Sequence, residues 1–120
     1  MVLLVDDDAV VCLAVKDLLA QAGYDVIVAA DGIEALDKLN EGLKPCAIIL
    51  DWLMPRMDGS KLIEKLIERG DKTPRIMLSG YIGEMKAELL AMVQGVVCKP
   101  PSGDVLQAEV KKWCKPDREV

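Results

Sequence analysis

This chain of 120 residues contains no histidine. That absence excludes a Ser-His-Asp triad, a Cys-His pair, His-ligated zinc and a phosphohistidine carrier. Any chemistry must rest on carboxylates, hydroxyls, lysine or thiols. Phenylalanine is also absent, and aromatics total only 3%. Cys12, Cys46, Cys98 and Cys114 form no C-x-x-C pair, which excludes the zinc-ribbon and thioredoxin-like patterns. Each lies in or beside an apolar stretch and reads as a small core residue in a reducing cytosol. No apolar run approaches the roughly 18 residues of a membrane span. The opening Met1-Val2-Leu3-Leu4-Val5 meets three aspartates at once, unlike a signal peptide. Lys and Arg number 15 against 20 Asp and Glu, a net charge of −5 that opposes non-specific binding to nucleic acid.

What is present is apolar material, 52% of the residues, enough for the core of a single domain. Short apolar runs at 2–5, 26–30, 47–50, 76–78 and 96–98 are continuous rather than alternating, as in strands buried on both faces. Between them lie stretches with helical spacing. The first carries Val11, Val15, Leu18 and Ala22, with Gly23 as its stop. The second carries Ile33, Leu36 and Leu39 after Asp31-Gly32 and ends near Gly42. The third carries Leu62, Ile63, Leu66 and Ile67, with Asp58 or Ser60 as N-cap and Gly70 as stop. The fourth carries Met85, Leu89, Met92 and Val93 and ends at Gly95. The fifth carries Val105, Ala108 or Glu109, and Trp113, with Ser102 as cap. Five strand-then-helix units predict a doubly wound α/β fold. Its parallel sheet has helices on both faces and all strand C-termini on one edge, where such folds bind ligands. The tail from Lys115 reads as a frayed end or the beginning of a linker.

The expected strand ends gather a particular set of groups. They are Asp6-Asp7-Asp8, Asp51, Ser79-Gly80 and Lys99-Pro100. A lone Asp after a buried strand often caps a helix, but Met54-Pro55 prevents a helix from starting directly after Asp51. Asp8 reads as the N-cap of the first helix or as a solvated acid. Clustered carboxylates repel by about 4 kcal/mol per pair at 4 Å and an effective dielectric of 20, so the cluster calls for a proton or a cation. All-oxygen donors at an open rim suit Mg²⁺ together with phosphate oxygens. With a lysine, a hydroxyl and a carboxylate nucleophile beside it, the set points to phosphoryl chemistry.

These residues carry a resemblance. Val5-Asp6-Asp7, Ile48-Ile49-Leu50-Asp51-Trp52-Leu53-Met54-Pro55-Arg56-Met57-Asp58-Gly59, Ser79-Gly80 and Lys99-Pro100 resemble the receiver domain of two-component response regulators, the family of the chemotaxis response regulator. The likeness covers residues 1–115 and leaves 116–120 as tail or linker. It implies a flavodoxin-like, five-stranded parallel sheet of order 2-1-3-4-5 with five helices. It implies that Asp51 accepts a phosphoryl group from a phosphohistidine on a sensor histidine kinase or histidine phosphotransfer protein. Asp6, Asp7, Asp51 and the backbone carbonyl of Leu53 would hold Mg²⁺. Lys99 would pair with one phosphoryl oxygen and Ser79 would hydrogen-bond another, pulling its loop inward. Lys99-Pro100 would be cis. The protein would catalyse only its own phosphorylation and dephosphorylation, act on a downstream protein target in the cytoplasm, and bind neither nucleic acid nor membrane. A dimer could form through the fourth helix, fifth strand and fifth helix. The missing histidine is then on the partner.

The sequence also departs from that pattern. Where receivers carry Tyr or Phe three residues before the lysine, this chain has Val96. The segment from Ser79 to Lys99 is about two residues short, so the fourth helix is expected to be short, shifted or mobile. Pro101 follows Lys99-Pro100 where a bulky apolar residue is usual. Leu53 cannot orient an attacking water, and bulky Tyr81 stands across from it, so loss of the phosphoryl group is expected to be slow. Two rival readings exist. A haloacid-dehalogenase-type phosphatase would match Asp6-Asp7-Asp8-Ala9-Val10, but its later acid should follow the serine and lysine, and Asp51 precedes them. A degenerate receiver would dock partners without phosphorylation, a reading opposed by the complete set Asp6, Asp7, Asp51, Ser79 and Lys99.

Overall fold

The apolar runs form strands because a sheet covered on both faces leaves no polar side for alternation to mark. In the computed structural model, which describes residues 1–52, 57–80 and 90–118, they are β1 (Val2–Val5), β2 (Val26–Ala29), β3 (Ala47–Asp51), β4 (Arg75–Ser79) and β5 (Gly95–Cys98). All pair in parallel in the order β2-β1-β3-β4-β5. Among the described residues the helices are α1 (Ala9–Gln21), α2 (Gly32–Asn40), α3 (Gly59–Glu68) and α4 (Gly103–Lys111). Most of the expected helix between β4 and β5, including Met85 and Leu89, lies outside the described residues, as does that part of the expected dimer face.

Two cores lie on opposite faces of the sheet. Val2, Leu4, Ile49, Ile76, Leu78 and Val97 pack with Val15 and Leu19 of α1 and Leu106 and Val110 of α4. Leu3, Val5, Ile48, Leu50 and Met77 pack with Leu39 of α2 and Leu62, Ile63 and Leu66 of α3. Val96, standing where the family carries an aromatic, packs partly buried against this second core.

Every described helix begins on a side-chain cap. Asp8 accepts from the N–H groups of Val10 and Val11, Asp31 from Glu34, Asp58 from Lys61 and Ser102 from Val105. Asp8 is therefore the cap, and Asp58 rather than Ser60 opens α3. Gly23, Gly42 and Gly70 follow α1, α2 and α3 with φ of 89°, 106° and 72°, the left-handed turn at a helix end that glycine adopts without steric cost.

Two helix faces differ from expectation. On α1 the fully covered residues are Cys12, Val15 and Leu19, while Val11, Leu18 and Ala22 are partly buried at the margin. Six successive apolar residues, Val10 to Val15, blur the helical period there. On α4 the buried face is Leu106 and Val110, continued by Cys114 beyond its end, and Val105 and Trp113 point outward.

The cysteines require a correction as well. Cys12 is a buried free thiol as expected, but Cys98 is exposed on the edge strand. Cys46 and Cys114 are joined in a disulfide, with Cα atoms 5.5 Å apart although the two stand 68 positions apart in sequence. No local pattern signals this pair. The fold brings the residue before β3 and the turn after α4 to the same end of the sheet. The tail is also tied down through Arg118. Asp117 accepts from the Asp25 N–H, Arg118 N–H donates to the Gly23 carbonyl, and the Arg118 guanidinium meets the Asp25 carboxylate.

Candidate functional site

The sheet register builds the site. Val5 pairs with Leu50, so Asp6 and Asp51 emerge level at the C-terminal ends of the two central strands. Asp51 pairs with Leu78 and Ser79 with Cys98, which sets Ser79 and Lys99 one step further along the rim. The Lys99 N–H donates to the Ser79 carbonyl at 3.0 Å and holds the last two strand ends together. Lys99-Pro100 is cis, as expected.

Lys99 Nζ lies 3.2 Å from Oδ2 of Asp6 and 3.2 Å from Oδ2 of Asp51. Asp6 is wholly buried and Asp51 partly so. Asp6 Oδ1 accepts from the Asp8 N–H at 2.9 Å. Its Oδ2 touches the ammonium but receives no hydrogen bond of good geometry, so a buried carboxylate oxygen keeps coordinating capacity facing the cluster. Asp7 is exposed beside it, and one oxygen from each of Asp6, Asp7 and Asp51 lies within 4.8 Å of the others. Three hard oxygen donors, one of them under-coordinated, fit a small divalent cation.

Electrostatics follow from this crowding. Burial, and next the neighbouring Asp6, push the Asp51 carboxyl above its ordinary pKa against the opposing pull of Lys99. For Lys99, burial favours loss of the proton, but Asp51 and Asp6 together outweigh it and hold the ammonium above its usual range. Cys12, whose Sγ donates to the Asp6 carbonyl at 3.4 Å, is pushed up to about 11 by burial and by the nearby aspartates. It is a packed thiol rather than a nucleophile.

The structure thus brings Asp6, Asp7, Asp51, Ser79 and Lys99 to one rim. Leu53 and Tyr81 lie outside the described residues. Two supporting residues carried no role in the sequence reading. A Cβ on Gly59 would stand 2.7 Å from the Asp51 carbonyl oxygen, and the Gly59 N–H donates to the Trp52 carbonyl at 2.9 Å. Only glycine lets α3 begin this close to the nucleophile's own backbone. Arg75 is buried at the start of β4, and its guanidinium binds the Met92 and Asp71 carbonyls at 3.0 and 3.3 Å. Gln94 bonds the Arg75 backbone in both directions, so Arg75 fixes the entry to β5 and hence Lys99. A glycine following Asp58 in the central segment was a signal for the first. Nothing local marked the second.

The family profile described as response regulator receiver domain matches residues 2–111. The chain belongs to that family. It is 38% identical over 97 residues to a protein-glutamate methylesterase/protein-glutamine glutaminase 1 of Anaeromyxobacter dehalogenans, covering 80% of this chain and 27% of that protein. It is 35% identical over 112 residues to the response regulator MprA of a Mycobacterium species, covering 92% of this chain and 48% of that protein. This receiver therefore spans half or less of those curated relatives. Among solved structures, the receiver domain of the Francisella response regulator 1452 superposes with a TM-score of 0.85 at 35% identity, over 93% of each chain. Chemotaxis response regulator CheY4 of Vibrio cholerae superposes with a TM-score of 0.83 at 31% identity, over 94% of this chain and 97% of that one. The α/β flavodoxin-like fold with strand order 2-1-3-4-5 is shared with these receivers. No described helix is long and apolar enough to cross a membrane.

Proposed function

We propose that this receiver accepts a phosphoryl group on Asp51 from a phosphohistidine of a sensor kinase or phosphotransfer protein in the cytoplasm, and passes the change to a downstream protein. The observation that carries the reading is the pairing of Asp51 and Asp6 with one lysine at 3.2 Å at the strand-end rim. An Asp51 carboxylate oxygen attacks phosphorus in line with the donor's imidazole nitrogen. The O–P bond forms, the P–N bond breaks, and the departing imidazole keeps the electron pair and takes a proton. Lys99 pairs with one phosphoryl oxygen, its ammonium kept charged by Asp51 and Asp6. The Ser79 hydroxyl donates to a second oxygen and draws the end of β4 with it. Asp6, Asp7, Asp51 and the Leu53 carbonyl would hold Mg²⁺, which supplies positive charge where the equatorial oxygens gather negative charge.

The donor reaches Asp51 across the N-terminal half of α1. Val10 and Leu13 there are 75% and 71% exposed, beside an apolar groove of 420 Å³ that runs from Asp6 and Asp7 past Ala9 and Cys12 to Val28. The chain's own chemistry ends at making and hydrolysing its acyl phosphate.

The test uses Trp52, adjacent to Asp51, as reporter in a Trp113→Phe background. Mg²⁺ and then acetyl phosphate are added while emission and intact mass are followed. A gain of about 80 Da (one phosphoryl group) that needs Mg²⁺ and is lost in Asp51→Asn is expected. No gain with either acetyl phosphate or a phosphorylated donor protein would overturn the reading in favour of docking without phosphorylation.

A further inference from the structure

The end of the sheet opposite the phosphoryl site carries a second device. Cys46 directly precedes β3 and Cys114 follows α4, and their disulfide staples the C-terminal segment to the N-terminal edge of the central strands. Each cysteine is positioned by contacts that do not depend on the bond. The Cys46 N–H donates to the Met1 carbonyl at 2.9 Å, the Cys114 N–H to the Val110 carbonyl at 2.9 Å, and the buried Tyr24 hydroxyl to the Cys114 carbonyl at 2.9 Å. The two thiols therefore remain neighbours when the bond is open, as reversible closure requires. Cys114 is 5% exposed, whereas Cys46 is partly exposed and gives a small thiol or disulfide a way in.

Beyond Cys114 the segment is held by polar contacts at the surface. Asp117 accepts from the Met1 ammonium at 2.7 Å and from the Asp25 N–H at 2.9 Å, the Arg118 N–H donates to the Gly23 carbonyl, and the exposed Arg118 guanidinium meets the exposed Asp25 carboxylate. Ion pairs near the surface contribute little each, so the covalent link is the strongest tie on this segment.

We propose that Cys46 and Cys114 form a thiol–disulfide switch that docks the segment from Lys115 to Arg118 when oxidised and releases it when reduced. Closure is an exchange with a low-molecular-weight disulfide. Two protein thiols are oxidised to one S–S bond, and the small disulfide is reduced to two thiols that carry the two protons. In a reducing thiol pool the staple is open, and an oxidising shift closes it. The inference is independent of the phosphoacceptor reading, since neither cysteine belongs to that site.

The experiment uses the full chain in a Cys98→Ser background, which removes the exposed free thiol. Samples equilibrated in glutathione disulfide or in dithiothreitol are compared by intact mass and by amide hydrogen exchange. Oxidation should lower the mass by about 2 Da without a glutathione adduct, as an internal bond requires. Reduction should speed exchange of the Asp25 and Arg118 amides roughly tenfold or more, with the Cys114 amide and the central strands unchanged. Adding Cys46→Ser, a change at a partly exposed position, should give the fast pattern in both buffers. Stable glutathione adducts at Cys46 or Cys114 in place of the internal bond would overturn the proposal. So would equal exchange rates in the two buffers.

Discussion

Lys99 Nζ and Asp51 Oδ2 stand 3.2 Å apart, and the same nitrogen is 3.2 Å from Asp6. One cation thus holds two carboxylates together at the rim. Lys99→Met should leave them facing each other uncompensated and lower stability by about 1–3 kcal/mol in chelator, the penalty for buried charge without a partner. Mg²⁺ should recover most of that loss. Urea unfolding with and without Mg²⁺ checks both halves, and equal losses in the two buffers would count against the shared-cation account.

Asp51 carries a cost of its own. Its pKa is raised, mainly by burial and then by Asp6, so the protonated form is favoured on folding. The resulting stability is fully present below the unfolded value near 3.8 and is lost as pH rises through the folded value. At neutral pH without metal, the ionised Asp51 therefore opposes folding. Asp51→Asn should melt higher than the parent at pH 7 in chelator, by about 2–5 °C. The difference should shrink toward pH 4. A parent that is the more stable protein at pH 7 would contradict the sign.

Gly59→Ala places a methyl group 2.7 Å from the Asp51 carbonyl oxygen. That contact is with backbone, so relief must come from moving β3 or α3. The expected loss is about 1–3 kcal/mol, as for other overpacked sites. Thermal melts measure it, with Gly42→Ala as a comparison site where the new Cβ meets nothing within 4 Å and only the positive φ is strained.

Val10→Glu with Leu13→Glu should separate docking from chemistry. Both side chains are exposed, so stability should change by no more than about 0.5 kcal/mol per site. Transfer from a phosphorylated donor protein should fall roughly tenfold or more if these residues anchor the donor. Phosphorylation by acetyl phosphate should be unaltered. A variant impaired with both donors would place the effect in the active site instead.

The thiols should divide by exposure. Cys98 should react with iodoacetamide at pH 8 in the native protein. Cys12, buried and pushed up to about 11, should stay unmodified until the chain unfolds. Peptide mapping after brief labelling distinguishes them.

The strand runs and the rim residues were legible because each is a local signal. Ala47 to Leu50 reads as a strand without help, and Asp51 stands at its end. Caps and stops were legible for the same reason, as Asp8, Asp58, Ser102, Gly23 and Gly70 act within three or four residues of themselves. The covered faces of α1 and α4 were less so. Val10 to Val15 offer no polar residue to mark an outer face, and on α4 the large apolar side chains of Val105 and Trp113 mark the wrong side. Arg75 and the Cys46–Cys114 pair were not legible at all. Arg75 reaches carbonyls up to 17 residues away, and the disulfide spans 68.

The parallel strands also have an electrical consequence. Four- and five-residue strands hold Asp51 and the Cys46–Cys114 staple at opposite ends of the sheet, about 17 Å apart at 3.3 Å per residue. That is roughly twice the Debye length at physiological ionic strength. Negative charge added at the rim is therefore largely screened before it reaches the staple. If the two ends communicate, they do so through displacement of the rod-like elements joining them, above all α4, which starts four residues after Lys99 and stops three before Cys114. Adding salt should leave such coupling intact.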